Sequence, residues 1–200
     1  MALFLDIFTK ILFILSPFFS VSMFVLLSRH MDRRARNLCA LRTSLAILLI
    51  CFVVYFFGNL IFRVLGITVP AFQVGAGTLL FLTAIQMVLG RRAEAAVNPD
   101  EDFSVVPLAI PMIVGPGTIG TLLVLGMEIA SAREKVIAGA AVFLAVVMIS
   151  LFLFLAMPIS HLLGHKGLHM MMKLTGLILT AIAAQIVFDG IDGFLHVTRP

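Results

Sequence analysis

Residues 104–120 read SVVPLAIPMIVGPGTIG, the opening of an uncharged apolar run that continues to Met127. As a helix, that run is long enough to cross the ~30 Å hydrocarbon core of a bilayer. Yet it carries Pro107, Pro111 and Pro116, with Gly115, Gly117 and Gly120 around the last of them. A proline in a helix interior lacks the N–H that the ladder needs and clashes with the preceding turn, at a cost of about 3 kcal/mol. The run is therefore expected to enter the membrane and to open or kink inside it. Irregular backbone at that depth is tolerated only where protein buries it or a cavity wets it. Half-helix ends there present N–H and carbonyl dipoles to whatever occupies the space.

The rest of the chain asks for the same solvent. It is 62% hydrophobic and 12% charged, with a mean hydropathy of +1.17. Soluble domains run at about 45–50% apolar with about a quarter of their residues charged. One core could not hide this much apolar surface, so lipid covers most of it. Six windows are apolar enough to span: Leu5–Leu27, Thr43–Leu65, Ala71–Leu89, Ser104–Met127, Val136–Met157 and Met170–Phe188. Short connections, such as 29–42, 91–102 and 132–135, hold nearly every charge. The expected fold is an all-α membrane protein of six transmembrane helices in one domain, 1–200. No cleavage site follows the first apolar run, so a retained first helix is expected rather than a signal peptide. Cys39 and Cys51 lack the spacing of a metal site or disulfide framework and read as small apolar residues.

The net charge of +4 does not point to nucleic acid, because the basic residues sit in short loops beside apolar runs. There they set orientation. Loops one-two, three-four and five-six hold nine of the 14 Lys and Arg residues, and the opposite side holds five. The cytoplasmic excess of positive charge places both termini outside, in a multi-pass protein of the bacterial plasma (inner) membrane.

A repeat lies in the numbering. Gly77 and Gln86 in the third window match Gly176 and Gln185 in the sixth at an offset of 99, and Leu80 and Ala84 match Leu179 and Ala183. Pro17 in the first window matches Pro116 in the fourth at the same offset. Two halves, 1–92 and 104–200, each hold three windows. An odd number makes the second half enter from the opposite side, so the expectation is two inverted three-helix repeats.

Gly/Pro-interrupted spans at matching positions of two halves point to a transporter's solute site. The expected site comprises Ser16, Pro17 and Ser20 from the first break and Gly115, Pro116, Gly117 and Thr118 from the second, with Gln86 and Gln185. Thr121 is a further hydroxyl near the break. The plainer readings stand beside these. Proline and glycine are common in membrane helices, where most kinks only shape packing. Serine and threonine hydroxyls often bond back to their own helix. A glutamine amide in hydrocarbon needs partners at both ends, so the pair either bonds across the interface between the halves or touches a polar solute. Gly75, Gly77 and Gly176 read mainly as sites of close helix contact.

Absences narrow the chemistry. No span centre carries an acid or base, which disfavours a proton relay. Sodium coupling through carbonyls and hydroxyls, exchange and passive efflux all stay open, as does a homo-oligomer, and no cofactor is expected. His161, His165 and His169 share a helical spacing, but Gly164 and Gly167 interrupt it, and a solvated interfacial face is favoured over a metal site. Asp189 and Asp192 read as exposed polar termini. No nucleophile–base pattern, phosphate loop or HExxH motif occurs, so no enzyme is expected.

These residues resemble the MarC family of bacterial integral membrane proteins, which is related to a neutral amino acid transporter family. Pro107 to Thr118 looks like the family's P-L-A-I-P-x-x-x-G-P signature. Gly176 to Leu179, Ala183, Gln185 and Asp189 to Ile191 look like its final helix, and Gly77, Leu79, Leu80, Ala84 and Met87 echo its third. The resemblance covers nearly the whole chain. It departs where the family usually reads N-P-x-G, because this chain has Ser16-Pro17-Phe18-Phe19, with a ring in space the glycine leaves open. The resemblance implies a plasma-membrane protein moving small neutral amino acids or similar solutes. The alternative is a non-transporting scaffold or stress-related protein in which the midplane motif only packs.

Overall fold

The computed structural model describes residues 2–90, 104–129 and 131–197. Among them the chain is all-helical apart from short connections and one irregular segment. Helices α1 (Ala2–Ile14) and α2 (Pro17–Leu27) are followed by α3 (Arg33–Leu65) and α4 (Val69–Val88). An irregular segment, Ser104–Ile113, precedes α5 (Pro116–Glu128), α6 (Ala132–Phe154) and α7 (Ala156–Val197). Five stretches are long and apolar enough to cross a membrane: Leu3–Leu27, Arg33–Gly58, Val69–Val88, Ala132–Phe154 and Lys166–Leu195. The fourth predicted window instead contains a shorter apolar helix, Gly117–Met127, behind the irregular segment.

That window breaks where its prolines dictate. Proline sterically drives the residue before it out of the helical region. Val106 (φ −124°, ψ 124°) precedes Pro107 and Ile110 (φ −126°, ψ 130°) precedes Pro111, and both are extended. Gly115 (φ −84°, ψ 179°) is extended too and caps α5, with Pro116 as its first residue. There the missing N–H costs nothing, since the first turn has no intrahelical acceptor for it.

The first window breaks at the matching point. Ser16, directly before Pro17, adopts a left-handed conformation (φ 51°, ψ 71°) rare for a residue with a Cβ. Such a residue costs on the order of 1–3 kcal/mol and persists only where its surroundings hold it. Here its hydroxyl donates to the Phe13 and Ile14 carbonyls, both at 3.2 Å. The Ser20 hydroxyl donates to the Leu15 carbonyl at 2.9 Å. The break thus satisfies its own freed carbonyls.

The basic stretch expected as a loop is largely helix. Asp32 caps α3 by accepting from the Ala35 N–H at 3.0 Å, so Arg33 to Arg42 form its first turns. With 33 residues, α3 is about 50 Å long and overshoots the bilayer core. In α7, Gly164 (φ 62°, ψ 172°) makes the one sharp interruption among the described residues, while Gly167 stays helical.

Small residues bring the helices together. A Cβ on Gly77 would lie 2.8 Å from Val187 and 3.1 Å from the Ala183 carbonyl. One on Gly176 would lie 3.0 Å from both Val88 and the Ala84 carbonyl. The two glycines therefore touch each other's counterparts, 77 with 183 and 187, and 176 with 84 and 88. Positions rise on α4 as they fall on α7, so the pair is antiparallel. Gly190 continues the seam against Pro70 and Gln73. Elsewhere α3 meets α5, with Gly58 against Leu123 and Gly126 against the Tyr55 carbonyl. The Tyr55 hydroxyl donates to the Lys135 carbonyl at 3.0 Å, tying α3 to α6. The Thr43 hydroxyl donates to the Ser104 carbonyl at 3.0 Å and anchors the irregular segment. A core of Ile11, Leu15, Phe24, Ile47, Leu108 and Ile149 fills the remaining space.

Candidate solute cavity

A cavity of about 210 Å³ lies between α1, α4, α5 and α7. It opens at the face where α1 and α4 begin and α5 and α7 end. Its depth is lined by Gly77, Gly117, Gly120 and Thr121, and its mouth by Asp6, Lys10, Gln73 and Asp189. Ile7, Ile11, Val124 and Ile186 supply apolar walls.

The α5 glycines set the wall. A Cβ on Gly117 would lie 2.5–2.9 Å from Leu80 atoms, and one on Gly120 would run into the Ala76 methyl. Both contacts let α5 start close beside α4. One turn on, the Thr121 Oγ1 is buried and bonds to no protein atom. A buried hydroxyl without a partner costs about 1–3 kcal/mol, so this one, covered at the wall of the cavity, gains a partner if a small shift of the wall lets a polar guest reach it.

At the mouth, the Gln185 Nε2 donates to the Asp189 Oδ1 at 2.7 Å and fixes that carboxylate. Asp6 and Lys10 are one turn apart on α1, and both also border an adjoining open groove of about 330 Å³ with Thr9, Phe13, Ile182 and Gln185. Two carboxylates and one ammonium therefore face one small volume. That arrangement can hold a cationic end and an anionic end of one solute at the same time.

The predicted residues divide. Gly117 lines the cavity, with Gly115 and Pro116 setting the helix start beside it. Ser16 (5% exposed), Pro17 and Ser20 (0%) are buried at the first break, the serine hydroxyls donating to the Phe13, Ile14 and Leu15 carbonyls before it, and do not line the cavity. Thr118 is buried and also off the wall. Gln185 reaches the mouth through Asp189, whereas Gln86 is exposed on the outer face of α4. The two glutamines do not bridge the α4/α7 seam, because glycine and alanine occupy it. Asp189 is exposed, as expected, and the α7 helix also places it on the lining of the mouth. Asp6, Lys10 and Gln73 were missed because each sits at the edge of an apolar window. The i, i+4 spacing of Asp6 and Lys10 was the available signal.

The MarC family integral membrane protein pattern matches residues 1–195. A UPF0056 membrane protein of Aquifex aeolicus is 34% identical over 96% of this chain and 94% of its own length. The UPF0056 membrane protein MJ1677 of Methanocaldococcus jannaschii is 33% identical over 94% and 95%. The UPF0056 inner membrane protein YhgN of Escherichia coli is 29% identical over 90% and 92%. No solved structure matches. With full-length relatives in bacteria and archaea and a pattern match across nearly the entire chain, this multi-pass protein belongs to the MarC family of integral membrane proteins.

Proposed function

We propose that the protein is a secondary transporter of small neutral solutes, amino acids foremost, which it binds in the cavity between α1, α4, α5 and α7. The observation that carries this reading is a charged mouth leading to the start of a broken helix. Lys10 receives the carboxylate of a zwitterion, Asp6 and Asp189 receive its ammonium, and the Thr121 hydroxyl and the wall at Gly117 meet its body. The volume supports a small guest. At about 30 Å³ per water it holds roughly seven waters, below the ~300–1,000 Å³ of sites for drug-sized ligands.

The irregular segment and α5 together make a sixth span in this reading, paired with α1 and α2 as the other broken span. The reciprocal contacts of Gly77 and Gly176 support two inverted repeats, because a two-fold relation makes residue i touch j′ and j touch i′. The positive-inside rule puts the cavity mouth on the outer face of a bacterial plasma membrane. Alternating access then consists of one repeat rocking against the other.

Purified protein in liposomes is expected to exchange radiolabelled alanine, serine or glycine with saturable kinetics. Failure to exchange any member of a neutral amino acid panel, by protein that stays monodisperse, overturns the proposal in favour of a scaffold.

A further inference from the structure

The offset of 99 turns the cavity wall into a prediction about the other side of the protein. It carries Gly117, Gly120 and Thr121 to Phe18, Val21 and Ser22. It also carries Gln73, Ala76 and Ile186 to Met172, Thr175 and Met87. In the structure these counterparts are largely shut away. Val21 is 0% exposed, Met172 3%, Met87 4% and Thr175 4%, with Phe18 and Ser22 half-buried; on the cavity side Gly117, Gly120 and Ala76 are buried, while Thr121, Gln73 and Ile186 keep partial exposure. The Thr175 hydroxyl turns back to the Met171 carbonyl at 2.9 Å and so needs no outside partner. The two halves differ at Gln73 and Ile186, which stay partly open to the cavity while their counterparts Met172 and Met87 are packed shut.

We infer that the protein has a second arrangement in which a mirror cavity opens on the opposite membrane face, lined by Phe18, Val21, Ser22, Met87, Met172 and Thr175. The inference rests on the inverted-repeat reading above. If the halves exchange conformations, the packing given up at one wall is regained at the other, so the two arrangements are close in free energy and the minor one is populated.

The two chambers differ in chemistry. Under the same offset Asp6 becomes Val105, Lys10 becomes Ala109 and Asp189 becomes Gly90. The mirror mouth carries none of the three charges. A zwitterion is gripped by the three charges on the face seen open and by none of their counterparts on the other, where Lys173 beside Met172 is the nearby charge, so it binds less tightly there.

The test uses full-length protein in oriented membrane vesicles, with Cys39 and Cys51 replaced by alanine, and needs no solute. Thr175→Cys and, as a second variant, Met172→Cys are exposed to a membrane-impermeant methanethiosulfonate on the face bearing Lys173. Labelling is expected at about 10- to 1,000-fold below the rate of an exposed cysteine, as for a minor state of about 0.1–10% population. Ala145→Cys, buried in the α6 core, sets the background. Labelling of both variants no faster than Ala145→Cys, in protein whose Thr121→Cys reacts from the opposite face, overturns the second arrangement while leaving the cavity and its solute intact. An unreactive Thr121→Cys together with absent flux instead strikes the transport proposal, and the second arrangement falls with it.

Discussion

Gly117→Leu is expected to reduce alanine exchange to the level of protein-free liposomes while the protein remains folded and helical. A side chain at this position meets Leu80 at 2.5–2.9 Å, and Leu80 is 5% exposed in a cluster with Ile14, Ala84 and Leu179. With no room to retreat, the added leucine must push the start of α5 away from α4 or turn into the cavity. Either movement deforms the depth of the site. The stability cost is that of overpacking, about 1–3 kcal/mol, read as a lowered unfolding temperature in detergent. Adding Leu80→Ala vacates the space the new side chain needs, so the double variant is expected to regain both stability and part of its exchange. Full exchange by folded Gly117→Leu contradicts the placement of the solute.

Lys10→Met and Asp189→Asn are expected to separate the two ends of the solute. Methionine keeps nearly the stem length of lysine and removes the charge. A hydrogen bond to a charged group contributes about 1.5–3 kcal/mol, so half-saturation for alanine rises roughly 10- to 100-fold. Competition by alaninamide, which lacks the carboxylate, is expected to be unchanged by Lys10→Met. In Asp189→Asn the bond from Gln185 can persist, because the asparagine Oδ1 still accepts. Propionate, which lacks the ammonium, is then expected to compete as it does in the natural protein. Equal losses for every competitor in both variants contradict a two-ended grip and indicate a general effect on the mouth.

Much of this was legible in the sequence because proline acts locally. Pro17 and Pro116 each impose a break that depends only on the residues beside them, and both breaks occur. Gly77 and Gly176 were legible as contact points because little else explains a glycine inside a long apolar helix. Gly117 was found through the break at Pro116 beside it. What was not legible depends on which way helices turn. Ser16 and Ser20 read either as solute ligands or as hydroxyls bonded back to their own helix, and spacing alone does not choose; the broken backbone next to them takes both. Gln86 and Gln185 look equivalent by spacing. They differ in what lies one turn on: Gln185 meets Asp189 at i, i+4, whereas Gln86 has Gly90 there and is exposed on α4. Asp6, Lys10 and Asp189 are separated by up to 183 positions and converge only because α1 begins and α7 ends on one face. The length of α3 was hidden by the convention that a run of arginines marks a loop. Asp32 at the N-cap was the contrary signal.

Water at the depth of the cavity is the condition for everything proposed about solute binding. Thr121→Cys, in protein lacking Cys39 and Cys51, measures it through reaction with a charged, membrane-impermeant methanethiosulfonate applied from the face bearing Asp6 and Asp189. Labelling of the folded protein, slowed by millimolar alanine or serine, is the expected result. A Thr121→Cys thiol that stays silent until the protein is denatured, as Ala145→Cys should, would mean that the chamber is dry and the broken helices serve packing alone.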